Sequence, residues 1–284
     1  MGVYIGLDIG GTKFMVAAAG EDGSIFNRVR ESTKEHWKDD LELLNRMISQ
    51  VADGERILGI GAAIGGPLDW EKGIVSPLHQ PTWREVPLKA IMEERWGCSF
   101  YVDVDTNVAA LGEYAACSPK PYSLLYITLS TGMGGGFIVE GKIYRGAGGV
   151  HPEIGHQAIP NRCSNPAAVQ CECGVPDCLE GLISGNAIRR IYGKPAEELD
   201  EKEWEEVAYN LGQGLRNLTV IYAPEEIRLG GGVAVGGGER LLQAAKNVME
   251  EHLFLVPAPV VSLSRLGYDT ALIGALTIAR TGLA

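Results

Sequence analysis

"VYIGLDIGGTKFMVAAAG", residues 3–20, sets two apolar, strand-forming stretches on either side of the turn Gly10–Gly11–Thr12. Valine, isoleucine, tyrosine and phenylalanine favour a pleated, half-buried surface, and paired glycines favour a tight reversal. "EDG" (21–23) makes a second turn into "SIFNRVR" (24–30), so the opening predicts three strands joined by hairpins. The same order returns as "SLLYITLSTGMGGGFIVEG" (123–141) followed by "KIYRG". A duplication on this scale predicts two related α/β domains, each opening on a glycine-turned hairpin, and not a solenoid of short repeats.

The remaining elements fit that plan. Leu41, Leu44, Met47, Ile48 and Val51 lie on one helical stripe in "DDLELLNRMISQVA". "RILGIGAAIGG" reads as a buried strand, and a loop region with four prolines follows it. "LKAIMEERWG" reads as a helix ended by Gly97, "CSFYVDVD" as a strand and "TNVAALGEYAAC" as a helix capped by Asp105 or Thr106. Beyond the second hairpin, "EWEEVAYNLGQGLRNLTVIYAP" and "ERLLQAAKNVMEEHL" are helical, "EIRLGGG" and "APVVSLS" are strands, and "TALIGALTIAR" closes the chain as a helix. The expected domains are 1–112 and 113–268, with the final helix, 269–284, packing back on the first.

The composition, 45% hydrophobic and 21% charged, is that of a soluble globular protein. No apolar run reaches the roughly 18 residues of a membrane helix. The sequence starts without a basic segment or a cleavage site, so a cytoplasmic protein is expected. A net charge of −11 with no Lys/Arg cluster argues against a nucleic-acid partner. Six cysteines in such a chain are read as thiols or metal ligands before disulfides. Glycine, 38 of 284 residues, is about twice its usual share of ~7% and gathers at three strand ends: "LDIGGTK", "LSTGMGGG" and "IRLGGGVAV". Such turns let backbone amides converge on an anion. One would mean little; three at matched positions of a duplicated fold point to phosphate.

Together "DIGGTK", "TGMGGG" and "LGGG" resemble the phosphate and adenosine turns of the actin-like ATPase superfamily, and within it the ROK sugar kinases, over essentially the whole chain. The resemblance implies two actin-like (ribonuclease H-like) α/β domains with a nucleotide cleft between them. It implies ATP and Mg²⁺ as cofactors and a free hexose as the other substrate, with a homodimer common in such kinases. Gly10, Gly11, Thr12 and Lys13 would serve the terminal phosphates from one side, and Thr131, Gly132 and Gly134 from the other. Gly231 and Gly232 would pass the adenosine, and Asp8 would hold Mg²⁺ through water.

A kinase of small alcohols also needs a carboxylate to take the hydroxyl proton. An aspartate before a helix is a routine N-cap, but by the resemblance this junction carries the catalytic base, Asp105. Most relatives have asparagine just before that residue; here it is Val104, as in the fructokinase branch. Asp103, two back, is expected on the same side as Asp105. The hexose would be ringed by Gly66, Asp105, Glu153, His156 and Glu180. A sugar-responsive transcription regulator is the other reading, disfavoured because its winged-helix segment has no place before a turn starting at residue 8.

"QCECGVPDCLEG" (170–181) holds Cys171, Cys173 and Cys178. Thiolates and imidazoles are the ligands of tetrahedral zinc, and His156 is the nearest upstream imidazole. C-x-C alone is tighter than the usual finger spacing, but joined to "EIGH" it matches the structural zinc motif of ROK kinases: His156, Cys171, Cys173 and Cys178. Such a site would fix the loop carrying His156 and Glu180. Glu172 is expected in solvent, Cys163 as a spare thiol or substitute ligand, and Cys98 and Cys117 in the core.

Overall fold

The opening hairpins form as read. In the computed structural model, which describes residues 2–283, β1 (Gly2–Ile9) pairs antiparallel with β2 (Lys13–Ala19), and β2 with β3 (Ile25–Ser32). Ile5, Leu7, Ile9, Phe14 and Val16 of this hairpin are fully buried. Helix α1 (Trp37–Ala52) starts two residues earlier than the segment that carries its apolar stripe, because the His36 ring accepts the Lys38 amide at 3.3 Å and caps it. It returns the chain to β4 (Arg56–Ile64), parallel to β1.

The proline-rich region read as loop contains a small sheet of β5 (Leu68–Asp69), β6 (Ile74–Val75) and β7 (Val86–Pro87). α2 (Leu88–Trp96) ends on left-handed Gly97. β8 (Ser99–Val104) then pairs parallel with β4, giving the order β3–β2–β1–β4–β8, and α3 (Asp105–Ala116) follows directly.

The second half repeats the plan. β9 (Ser123–Leu129) and β10 (Met133–Val139) make the antiparallel hairpin. Only Lys142–Ile143 (β11) of the third expected strand forms. After α4 (Leu179–Ile183), α5 (Gly185–Tyr192) and α6 (Glu201–Tyr222), β12 (Glu226–Gly230) pairs parallel with β9. α7 (Gly232–Glu250) leads to β13 (Val260–Leu263), parallel to β12. The helix α8 (Thr270–Thr281) ends the chain.

Two units result. The first takes the chain up to Lys120, Gly141–His151 and everything from Asp269; the second takes Pro121–Glu140 and Pro152–Tyr268. The boundary thus lies at Lys120 and not at 112, which would cut α3 through its contact with α8. A Cβ on Gly112 would lie 2.7 Å from the Thr270 carbonyl oxygen, so the two helices pack backbone to backbone. α8 also lies on β1 and β4. At Gly61 an added Cβ would fall 2.0 Å from the Ala275 carbonyl oxygen, so glycine is what lets α8 reach the sheet. The first core forms around Leu44, Met47, Ile60 and Phe100. The second forms between β9 and the long helices, from Ile127, Leu129, Trp204, Leu211, Leu215 and Met249. No helix among the described residues is long and apolar enough to cross a membrane.

Candidate active site

In the first unit the Gly10–Thr12 turn is braced from within. The Gly10 amide donates to the Lys13 carbonyl at 3.1 Å, and Thr33, just past β3, donates its amide to the Thr12 carbonyl at 3.2 Å. Gly11, Thr12 and Lys13 are left exposed. Asp8, near the end of β1, is half-buried. Burial pushes its carboxyl up to about 7; Asp105 adds to the rise, Lys13 opposes it and Asp269 adds again. The turn, Asp8 and Asp105 therefore share one electrostatic neighbourhood.

Asp105 is exposed and is the first residue of α3, not its N-cap; that place falls to Val104, whose side chain caps nothing. The Asp105 carboxylate accepts the Thr106 amide at 2.7 Å. Asp103 does not share its side, because the strand's two-residue alternation stops at Val104 where the helix begins. It is 1% exposed and accepts from the Val104 amide at 2.7 Å, from Asn107 Nδ2 at 3.2 Å, and from Arg145 Nη2. Val104 and Gly66 do converge: a Cβ on Gly66 would lie 3.7 Å from both Val104 Cγ2 and His151 Cε1. His151, which opens "HPEIGH" (151–156), is a neighbour of Gly66 that the sequence motifs did not single out.

In the second unit the Ser130–Gly132 turn is held by the start of α5. Gly185 and Asn186 donate their amides to the Ser130 and Thr131 carbonyls at 2.7 and 3.0 Å. A Cβ on Gly132 would lie 3.2 Å from Glu180 Oε1, so the Thr131–Gly132 turn and Glu180 are adjacent; Gly134 lies beyond, in β10. Gly231 has φ 87°, and a Cβ there would fall 2.3 Å from the Leu129 carbonyl oxygen, which excludes any side chain. Gly232 opens α7, and the exposed Tyr268 hydroxyl lies 3.6 Å from where its Cβ would be. Tyr268, an aromatic face beside the third glycine turn, carries no motif and was missed in the sequence.

The cysteine segment closes on itself. The ligand atoms of His156, Cys171, Cys173 and Cys178 all lie within 4.8 Å of one another. His156 Nδ1 is 3.4 Å from Cys171 Sγ and 3.5 Å from Cys178 Sγ. Its Nε2 faces away from them, 3.5 Å from Glu180 Oε2 and 3.8 Å from Glu153 Oε2. Burial pushes the Cys178 thiol up to about 12 and raises Cys171 as well. The Val175 amide, with help from the neighbouring thiols and His156, lowers Cys173 to about 7. Three sulfurs and one imidazole nitrogen at this spread fit one tetrahedral, thiophilic cation, which would draw all three thiols into the thiolate form. Glu172 is exposed, and Cys163 stands apart against the second core. Cys117 is buried and Cys98 packs against the first core.

Fold and site together define a two-domain α/β protein of the sugar-kinase fold, with glycine turns in both units. The sequence profile of the ROK family matches residues 4–282, and the chain belongs to that family. It is 32% identical over 299 residues to a putative fructokinase of Bacillus subtilis (strain 168), covering 98% of this chain and 95% of that protein. Among solved structures it is similar to a ROK hexokinase from Thermus thermophilus, with TM-score 0.85, 30% identity and 98% of each chain covered. It is also similar to a ROK family glucokinase from Streptomyces griseus in complex with glucose and AMPPNP: TM-score 0.79, 28% identity, 99% of this chain and 100% of that one.

Proposed function

We propose that the protein is a kinase transferring the γ-phosphoryl of ATP to the 6-hydroxyl of a free hexose: fructose, glucose or mannose. The observation that carries the reading is Asp105, an exposed carboxylate at the strand–helix junction, close enough to Asp8 beside the Gly10–Thr12 turn to raise its pKa. That proximity supports reading Asp105 as the base and the Gly10–Thr12 turn as the phosphate turn of one site. The relatives named glucokinase, fructokinase and hexokinase support the same chemistry.

Asp105 takes the proton from the hexose hydroxyl as the phosphoryl group transfers. Asp8 would hold Mg²⁺, and Gly10, Gly11, Thr12 and Lys13 would bind the phosphates. Mg²⁺, when bound, neutralises charge on the phosphate oxygens. In the second unit Thr131, Gly132 and Gly134 serve the phosphates, and Gly231 and Gly232 admit the adenosine, with Tyr268 alongside. Gly66 in the first unit and Glu153, His156 and Glu180 in the second contact the sugar, carboxylates accepting from neighbouring hydroxyls. A structural zinc ion held by His156, Cys171, Cys173 and Cys178 would fix His156 with Nε2 turned to Glu180 and the sugar. Val104 supplies no hydrogen bond, so selection among hexoses lacks one contact.

A coupled ADP-release assay over glucose, mannose, fructose and the N-acetylhexosamines tests the proposal. Hexose-dependent ADP release is the expected result; no release above the sugar-free rate with any of them would refute it.

A further inference from the structure

We propose that Arg145 is a positioning residue that acts through Asp103 to fix the β8–α3 junction from which Asp105 projects. The inference rests on Asp105 being the base. The Asp103 side chain is 1% exposed. One of its oxygens accepts from the Val104 amide at 2.7 Å and from Asn107 Nδ2 at 3.2 Å. Those two bonds grip the chain immediately before Asp105 and two residues after it. The N-cap itself offers no such hold, since α3 has no side-chain cap bond there. Bonds to a carboxylate acceptor are about twice as strong as neutral ones, so the grip depends on where the Asp103 carboxylate is held.

Arg145 holds that carboxylate in place from its other side. Its guanidinium, 14% exposed at the side chain, pairs with the other Asp103 oxygen. Removing one partner of a buried ion pair leaves the other without compensation and is strongly destabilising. The guanidinium also stacks on Trp70, 3.9 Å from the ring centroid. The loop packs flush there as well: a Cβ on Gly149 would fall 2.9 Å from Trp70 Nε1. Arg145 thus spans the β5–β6 turn, its own loop and the catalytic junction, at the wall of a pocket shared with Leu68, Asp69, Trp70 and Glu71. Lysine cannot do this, because only a planar guanidinium binds a carboxylate and stacks on an indole together.

The test uses the full-length protein with Arg145→Lys, Arg145→Met and the neutral pair Asp103→Asn/Arg145→Met, read by amide hydrogen exchange and by steady-state kinetics. In both single variants the Val104 amide should exchange at least about tenfold faster as the junction loosens. kcat should fall at least about tenfold, a displaced base costing that much or more, with KM for ATP within about twofold of wild type. The neutral pair should be at least about threefold faster in kcat than Arg145→Met, since no orphan charge remains and the new amide side chain can still accept the Val104 amide. If Arg145→Met fails to fold, Arg145→Lys and the neutral pair carry the test. Unchanged Val104 exchange, or faster exchange with kcat within about threefold of wild type, overturns the proposal. If the wild type phosphorylates no hexose, exchange alone decides it and the kinase reading fails separately. An Asp105→Asn variant that keeps its activity would remove the base, and this proposal with it.

Discussion

Asp105 bears the chemical weight of the proposed reaction, and a near-isosteric change isolates it. Asp105→Asn keeps the size and can still accept the Thr106 amide now held at 2.7 Å, but it cannot take a proton. kcat should fall by about 10²- to 10⁴-fold while hexose and ATP binding, measured by calorimetry, stay close to wild type. Retention of more than about a tenth of wild-type kcat would mean that Asp105 is not the base. Asp103 cannot replace it, because both its oxygens are already engaged. Asp8 offers a second test, through pH. Its carboxyl is raised from 3.8 to about 7, chiefly by burial and then by Asp105. The folded state therefore binds a proton more tightly than the unfolded one, and the stability this confers is complete below 3.8 and lost as pH rises through about 7. In metal-free protein, Asp8→Asn should raise the melting temperature at about pH 8 and leave it nearly unchanged at about pH 4. Equal effects at both pH values would contradict the shift. At this scale the sequence showed which residue types could do the chemistry. It did not show which of Asp103 and Asp105 faces solvent, because that is settled by where the strand stops and by Arg145, 42 residues away.

The loop that carries the thiols is the element on which the residues proposed for the second unit's site depend. Cys178 precedes α4, Glu180 lies in its first turn, and α5 follows to hold the Ser130–Thr131 carbonyls. A metal at the cluster would therefore anchor both Glu180 and the Ser130–Gly132 turn. Purified protein should contain about one zinc per chain by elemental analysis, and Cys173→Ser should lose it together with hexose affinity. Metal-free protein of full activity would count against the site. The clustering of His156, Cys171, Cys173 and Cys178 was legible because a cysteine-dense segment and "EIGH" are local patterns. α4 and α5 were not, being too short for periodicity to register. α7 starts at Gly232, well before the helix read from Glu239. Its first turns are glycine-rich, and Gly238 breaks regular helix geometry with φ 56°, so propensity hid a segment that packing on the second core stabilises.

Across the whole molecule, the duplication was the most legible feature. Two glycine-turned hairpins announce two sheets, and the parallel strands β4, β8, β12 and β13 then add in the same order in each. The partition was harder. The chain re-enters the first unit at Gly141–His151 and again at Asp269, and neither crossing coincides with a change in composition. The β5–β6–β7 sheet leaves no sequence signal for a related reason: its strands are two residues long, and their pairing is set by neighbours and not by their own pattern. Phosphoryl transfer to a hexose is the central claim, and product analysis tests it most directly. ATP, Mg²⁺ and each of fructose, glucose and mannose would be incubated with the purified protein, and the sugar products resolved by ³¹P and ¹³C NMR. At least one hexose should appear as its 6-phosphate in amounts matching the ADP formed, with no product from Asp105→Asn on the same timescale. ADP formed without phosphorylated sugar, or phosphate carried on a hydroxyl other than O6, would contradict the account.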